Sequence, residues 1–140
     1  MNAVLQFKEY HVLETIYKNN PFIEIENEKV RPEFEFSVEY GNEKKTEAFI
    51  TLSVLLGDEF LENHTFFVKA KIMGYFEINS DAEISDEMIH NLYHINALAI
   101  IFPYLRSLVS DLSSKGSETP IILPTLNIAE LVRKKFENDH

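Results

Sequence analysis

The sequence predicts an α+β fold: a four-stranded antiparallel sheet with one long kinked helix and one short C-terminal helix on one face. Three observations carry that reading. The first is alternation without exception in Glu33-Phe34-Glu35-Phe36-Ser37-Val38-Glu39-Tyr40, apolar on one side and acidic on the other. The second is a switch to helical spacing after residue 85, with Met88, Ile89, Leu92, Ile95, Ala99, Phe102, Leu105, Val109 and Leu112 recurring along one stripe. The third is the order of the segments, strands first and helices after, which favours an antiparallel sheet with its helices segregated.

The strands are read in turn. A β-rich segment from Phe7 to Tyr17 is less regular than the rest. The connection that follows, Asn19 to Pro32, is too long for a hairpin, so the first strand is expected to cross over rather than pair with its neighbour in sequence. Glu33–Tyr40 is the second strand, and the polar turn Gly41-Asn42-Glu43-Lys44-Lys45 closes it. Glu47 to Leu56 places Ala48, Ile50, Leu52, Val54 and Leu56 on one face. Thr65 to Ile78 does the same with Phe66, Val68, Ala70, Ile72, Phe76 and Ile78. Gly74 falls on that inner face, where a missing side chain permits close packing.

Two N-cap candidates precede the long helix, Ser80 with Glu83 and Ser85 with Asp86 and Glu87 behind it; Gly116 is a natural stop. About 30 residues give a rod of ~45 Å, and Pro103 inside it is expected to kink it. A rod of that length overhangs the sheet, and a second copy of the chain is the simplest cover. Pro120-Ile121-Ile122-Leu123-Pro124 is an apolar loop between two prolines. Asn127, with Glu130 three residues on, opens a short amphipathic helix carrying Ile128, Leu131, Val132 and Phe136.

Composition limits the chemistry. The 140 residues, read as a single domain over 1–140, hold 23 acidic and 13 basic side chains, net −10, which disfavours nucleic acid and anionic membrane surfaces. Residues 1–64 carry 13 acids against 6 bases, residues 65–140 carry 10 against 7. There is no cysteine, so disulfides, thiol catalysis and Cys-ligated metals are out. The N-terminus lacks the basic and apolar regions of a signal peptide, and the longest near-apolar run, Ile95 to Leu105, is far short of the ~20 residues that span a bilayer. A cytoplasmic protein without membrane insertion is the expectation.

No enzyme is expected. The four glycines are isolated, so no phosphate-cradling loop exists, and no cofactor is implied. Asp86, His90 and His94 share one helical stripe, but the general-base Glu of the helical zinc motif and a further ligand are missing. The plain reading is a polar stripe facing a helix or water, with no metal. The apolar segments pose a different question. Ile121, Ile122, Leu123 and Leu126, like Phe22, Ile23 and Ile25 in the crossover, either pack as core or form a groove for a partner's extended apolar segment. Burial contributes ~25 cal/mol per Å² without direction, so such a groove selects by apolarity rather than by sequence.

Phe102-Pro103-Tyr104-Leu105-Arg106, Ser110, Ser114-Lys115-Gly116, Pro120, Leu123, Pro124, Asn127 and Leu131 resemble the C-terminal half of the SecB family of protein-export chaperones. Gly74-Tyr75-Phe76-Glu77-Ile78 is similar to its Gly-x-Phe-x-Ile strand end. Ile16-Tyr17, Phe22 and Pro32-Glu33 resemble its first strand, crossover and second-strand start. The resemblance implies a dimer of dimers, a homotetramer with helices sandwiched between sheets. It implies an ATP-independent holdase that keeps unfolded or precursor polypeptides in hydrophobic grooves. Carried over residue by residue, the groove is Phe22, Ile25, Ile122, Leu123, Leu126, Ile128 and Leu131. The resemblance also implies an acidic outer face for the translocase motor SecA, here Glu24, Glu33, Glu35 and Glu39. Asn20 and Lys69 stand where export members carry acid, and the C-terminal tail is shorter than the family's. A member dedicated to one client, such as the antitoxin of a toxin–antitoxin pair, stays open beside the general export chaperone.

Overall fold

The computed structural model describes residues 3–26, 28–80, 83–117, 120–124 and 127–139. Four strands, β1 (Ala3–Asn19), β2 (Glu33–Tyr40), β3 (Glu47–Gly57) and β4 (Phe66–Ser80), form one antiparallel sheet in the order β1-β4-β3-β2. A long helix, α1 (Asp86–Gly116), and a short one, α2 (Ile128–Asp139), follow. The crossover thus carries the chain from one edge of the sheet to the other, as the length of the Asn19–Pro32 connection requires.

The inner face is made by the alternating sets. Ala48, Ile50, Leu52, Val54 and Leu56 of β3 pair with Phe76, Gly74, Ile72, Ala70 and Val68 of β4, and all of these are buried. Phe36 of β2 joins them, opposite Leu52. Onto this face α1 lays Ala97, Leu98, Ile101, Phe102, Leu105 and Val109, every one buried. Gly74 is the point of closest approach. A Cβ there would lie 2.7 Å from the Phe76 ring and 2.9 Å from Ile101 Cγ2, so helix and strand touch only because the side chain is absent.

β1 is longer than its sequence pattern suggests, reaching from Ala3 to Asn19 rather than from Phe7 to Tyr17. Register shifts between Phe7 and Glu9 and between Val12 and Glu14 break its period of two. Each bulge inserts a residue and flips the later side chains to the other face, which is why the alternation is blurred there. Phe7 still reaches the inner face, stacked on Phe76 with ring centroids 5.1 Å apart.

Ser85 is the cap that opens α1: its hydroxyl accepts the Met88 N–H at 3.1 Å. Pro103 lies within a continuous α-helical stretch, Ala97–Gly116. A departure from α geometry that the spacing does not indicate falls at Leu92–Asn96, a π-helical turn. That turn contains Tyr93, fully buried, whose hydroxyl donates to the Lys45 carbonyl at 2.8 Å. By length and composition α1 is also long and apolar enough to cross a membrane, with an 18-residue window of mean hydropathy 1.3, which the Ile95–Leu105 run alone does not suggest. One stripe of it packs on the sheet, while Ile100 and Tyr104 of the same helix stay exposed.

Candidate functional site

The two irregular apolar segments are brought to the same end of the sheet. At the end of β1, Tyr17 lies against the C-terminus of α1; a Cβ on Gly116 would come within 2.2 Å of its ring. Three residues after Tyr17 the crossover begins. Asn20 donates its N–H to the Thr65 carbonyl at 2.8 Å and accepts the Phe22 N–H on Oδ1 at 3.0 Å. This turn leaves Phe22 93% exposed, whereas Ile23 and Ile25 are half-buried.

On the other side, the loop after α1 is anchored through Ser113, a fully buried polar residue. Its hydroxyl donates to the Val109 carbonyl at 2.9 Å and accepts the Ile121 N–H at 2.7 Å. The stretch that follows alternates: Ile121 half-buried, Ile122 65% exposed, Leu123 fully buried. The prolines on either side favour extended backbone, and extended backbone sends neighbours to opposite sides. Leu123 therefore belongs to the core of the subunit and Ile122 to its surface, although both fall in the greasy run that reads as groove. Leu126 lies outside the described residues.

Asn127 caps α2 as its spacing predicts, accepting the Glu130 N–H at 3.0 Å. Val132 is buried, and Ile128, Leu131 and Phe136 are half-buried. On the solvent side, Arg133–Glu137 at 2.7 Å and Lys134–Glu130 at 3.5 Å are i,i+4 ion pairs of little energetic weight. Lys135 turns inward. Its Nζ donates to the Phe36 carbonyl and sits 4.7 Å from the centroid of the Phe36 ring, tying α2 to β2.

Of the Asp86–His90–His94 stripe, the two histidines are packed and Asp86 is exposed. The two imidazoles stack with centroids 4.0 Å apart, and Phe136 of α2 covers both at 5.3 and 5.7 Å. His94 Nδ1 is 3.1 Å from the His90 carbonyl. Burial first, and the neighbouring His90 second, push the His94 pKa below its ordinary 6.5. Among the described residues no group of three or more His, Cys, Asp or Glu side chains is arranged to hold a metal.

Along β2 the outer face of the sheet is acidic. Glu33, Glu35 and Glu39 are exposed, as is Glu24 in the crossover. Next to them lies a shallow concavity of about 410 Å³ shared by Glu33, Glu35, Arg31 and Lys69. Lys69 is ion-paired with Glu14 at 2.6 Å, and that contact raises its pKa. Toward the other end, Tyr75 donates to Glu47 at 2.6 Å and to Glu77 at 3.0 Å, and both carboxylates push its pKa up. One exposed aromatic goes unnoticed in the sequence reading. Phe60, 77% exposed, sits in the β3–β4 turn, which Asn20–Thr65 and a Lys18–Glu59 carbonyl bond at 3.2 Å join to the crossover end. Its signal is an apolar side chain in an otherwise polar turn.

Known proteins share this arrangement. The family model of SecB, the preprotein translocase subunit, matches residues 5–139. The chain is 27% identical over 133 residues to an uncharacterised protein of Methanocaldococcus jannaschii, across 93% of this chain and 83% of the other. It is also 27% identical over 121 residues to the protein-export protein SecB of Janthinobacterium sp. (strain Marseille), across 85% and 71%. Among solved structures, a Mycobacterium tuberculosis SecB-like chaperone in complex with a ChAD peptide from the HigA1 antitoxin superposes with a TM-score of 0.66, at 16% identity and 88% coverage of both chains. With the match running through the sheet, the crossover and both helices, the chain belongs to the SecB family of chaperones.

Proposed function

We propose that this protein is an ATP-independent holdase of the SecB type, which binds unfolded or precursor polypeptides in the cytoplasm. The observation that carries the reading is the exposure of Phe22 and Ile122, 93% and 65%, on two irregular segments held at one end of the sheet. Large apolar side chains left in water beside a closed core offer area to a foreign chain. With Ile25, Ile128 and Leu131, each half-buried, they form the client surface of this reading, to which Leu126 is assigned from the sequence alone. The uncovered apolar residues Ile100, Val12 and Leu13 support a dimer of dimers, in which several weak sites act on one extended client and raise avidity. Glu24, Glu33, Glu35 and Glu39 form the face offered to SecA.

The test is aggregation of unrelated unfolded proteins without nucleotide. The holdase slows it at near-stoichiometric ratio; unhindered precipitation of every substrate tried refutes the reading. A second reading, a chaperone devoted to one client such as an antitoxin, is favoured by Lys69. Its ammonium, paired with Glu14, interrupts the acid on the outer face. Protection confined to one native client selects it.

A further inference from the structure

Thr65 stands where the β3–β4 turn enters β4 and spends all its polar groups on the crossover. Its carbonyl accepts the Asn20 N–H at 2.8 Å. Its own N–H and hydroxyl donate to the Glu28 carboxylate at 2.7 and 2.9 Å. The two ends of the segment 20–28 are thus tied to one residue. His64 Nδ1, buried without a hydrogen-bond partner, lies 3.4 Å from the same carboxylate and adds to the cover over it.

The platform under this clasp is itself fixed. Asp58 accepts the N–H groups of Phe60, Glu62 and Asn63 at 3.1, 2.8 and 2.9 Å, and those bonds hold its pKa below the usual carboxylate value. The turn therefore keeps its shape without a client. A segment pinned at both ends to a rigid turn presents Phe22 already ordered. A loose one would have to be ordered at the moment of capture, and that loss of freedom subtracts from affinity.

We infer that Thr65 and Glu28 are positioning residues of the client surface, a clasp that sets the crossover in the form that meets a client. The inference rests on the holdase reading of the site, and the experiment keeps the two apart. Full-length Glu28→Ala, Thr65→Val and Thr65→Ser are compared with the parent in tryptic cleavage after the exposed Lys29, in affinity for a reduced and alkylated, permanently unfolded test protein, and in melting temperature. Loss of a charge-assisted bond opens the loop about tenfold more often. Cleavage after Lys29 in Glu28→Ala rises to match and capture weakens several-fold. Thr65→Val moves both less, and Thr65→Ser, which keeps the hydroxyl, restores both. Should Glu28→Ala not fold, Glu28→Gln and Thr65→Val carry the comparison. Cleavage left unchanged overturns the clasp; faster cleavage with undiminished capture overturns its positioning role. A parent protein that captures no unfolded chain sinks the holdase reading and the role together, while the cleavage arm still reports the clasp.

Discussion

The seam between β4 and α1 and the end that holds the crossover with the 120–124 loop use the same apolar residue types to opposite effect. In the seam Phe76, Ile72, Ile101 and Leu105 are fully buried. At the end, Phe22 and Ile122 stand in water. The difference lies in backbone satisfaction. Strand and helix pair their own N–H and C=O groups, so they are free to pack face to face. Irregular segments must find partners one by one, in Thr65, Glu28, Ser113 and Asn127. Those few anchors fix the path of the chain but bury only some of its side chains.

Neighbours on the same segment provide the sharpest way to break this comparison. Leu123→Asp places a carboxylate where a fully buried leucine sits. The lost packing alone is worth about 2–5 kcal/mol, and the unpaired charge adds more, so the variant is expected to unfold in a denaturant titration. Ile122→Asp, one residue away and 65% exposed, is expected to stay within about 0.5 kcal/mol of the parent while losing capture of unfolded protein. Equal stabilities for the two variants would remove the distinction between core and surface here.

The seam is tested at Gly74. In Gly74→Val the new Cβ meets Phe76 and Ile101 inside ordinary contact distance, an overpacking penalty of about 1–3 kcal/mol. Thermal melting reads it directly, and an unchanged melting temperature refutes the tight contact.

The smallest expected effect separates α2 from the rest. The His94 pKa lies below 6.5 in the folded protein, so the docked form binds fewer protons than the undocked one. The stabilisation that neutral His94 gives to docking is fully present above 6.5. It drains as pH falls below that value toward the folded pKa. Protonation places a cation beside His90 and Lys135, the charged or titratable neighbours that act on His94. Asp86 interacts instead with Tyr40. Amide exchange in Val132–Phe136, corrected for intrinsic rates, is expected to quicken below 6.5 relative to the β4 amides, and His94→Gln to abolish the change. Equal protection of α2 on both sides of 6.5 contradicts this.

Legibility followed regularity. β2 is bounded by Glu33 and Tyr40 as its alternation indicates, and Ser85 and Asn127 cap the helices their spacing assigns them. These are local events, complete within a few residues. β1 was legible only in part because its bulges shift the period, and the π turn at Leu92–Asn96 left no mark in the pattern. Its Tyr93 finds a carbonyl 48 residues away. The candidate site divides likewise. The greasy segments are visible in the chain, but which of Ile122 and Leu123 meets water is not. Phe60 becomes a candidate only once the turn is seen beside the crossover.

Composition, period and caps determined an α+β chain with an acidic second strand, a long helix and two apolar irregular segments, because each depends on residues close together along the chain. The tertiary structure alone decided that β1 lies beside β4, that Thr65 holds both ends of the crossover, and that His90 and His94 face Phe136. Those outcomes depend on which surfaces remain unpaired once the local elements have formed, and that is a property of the packed molecule.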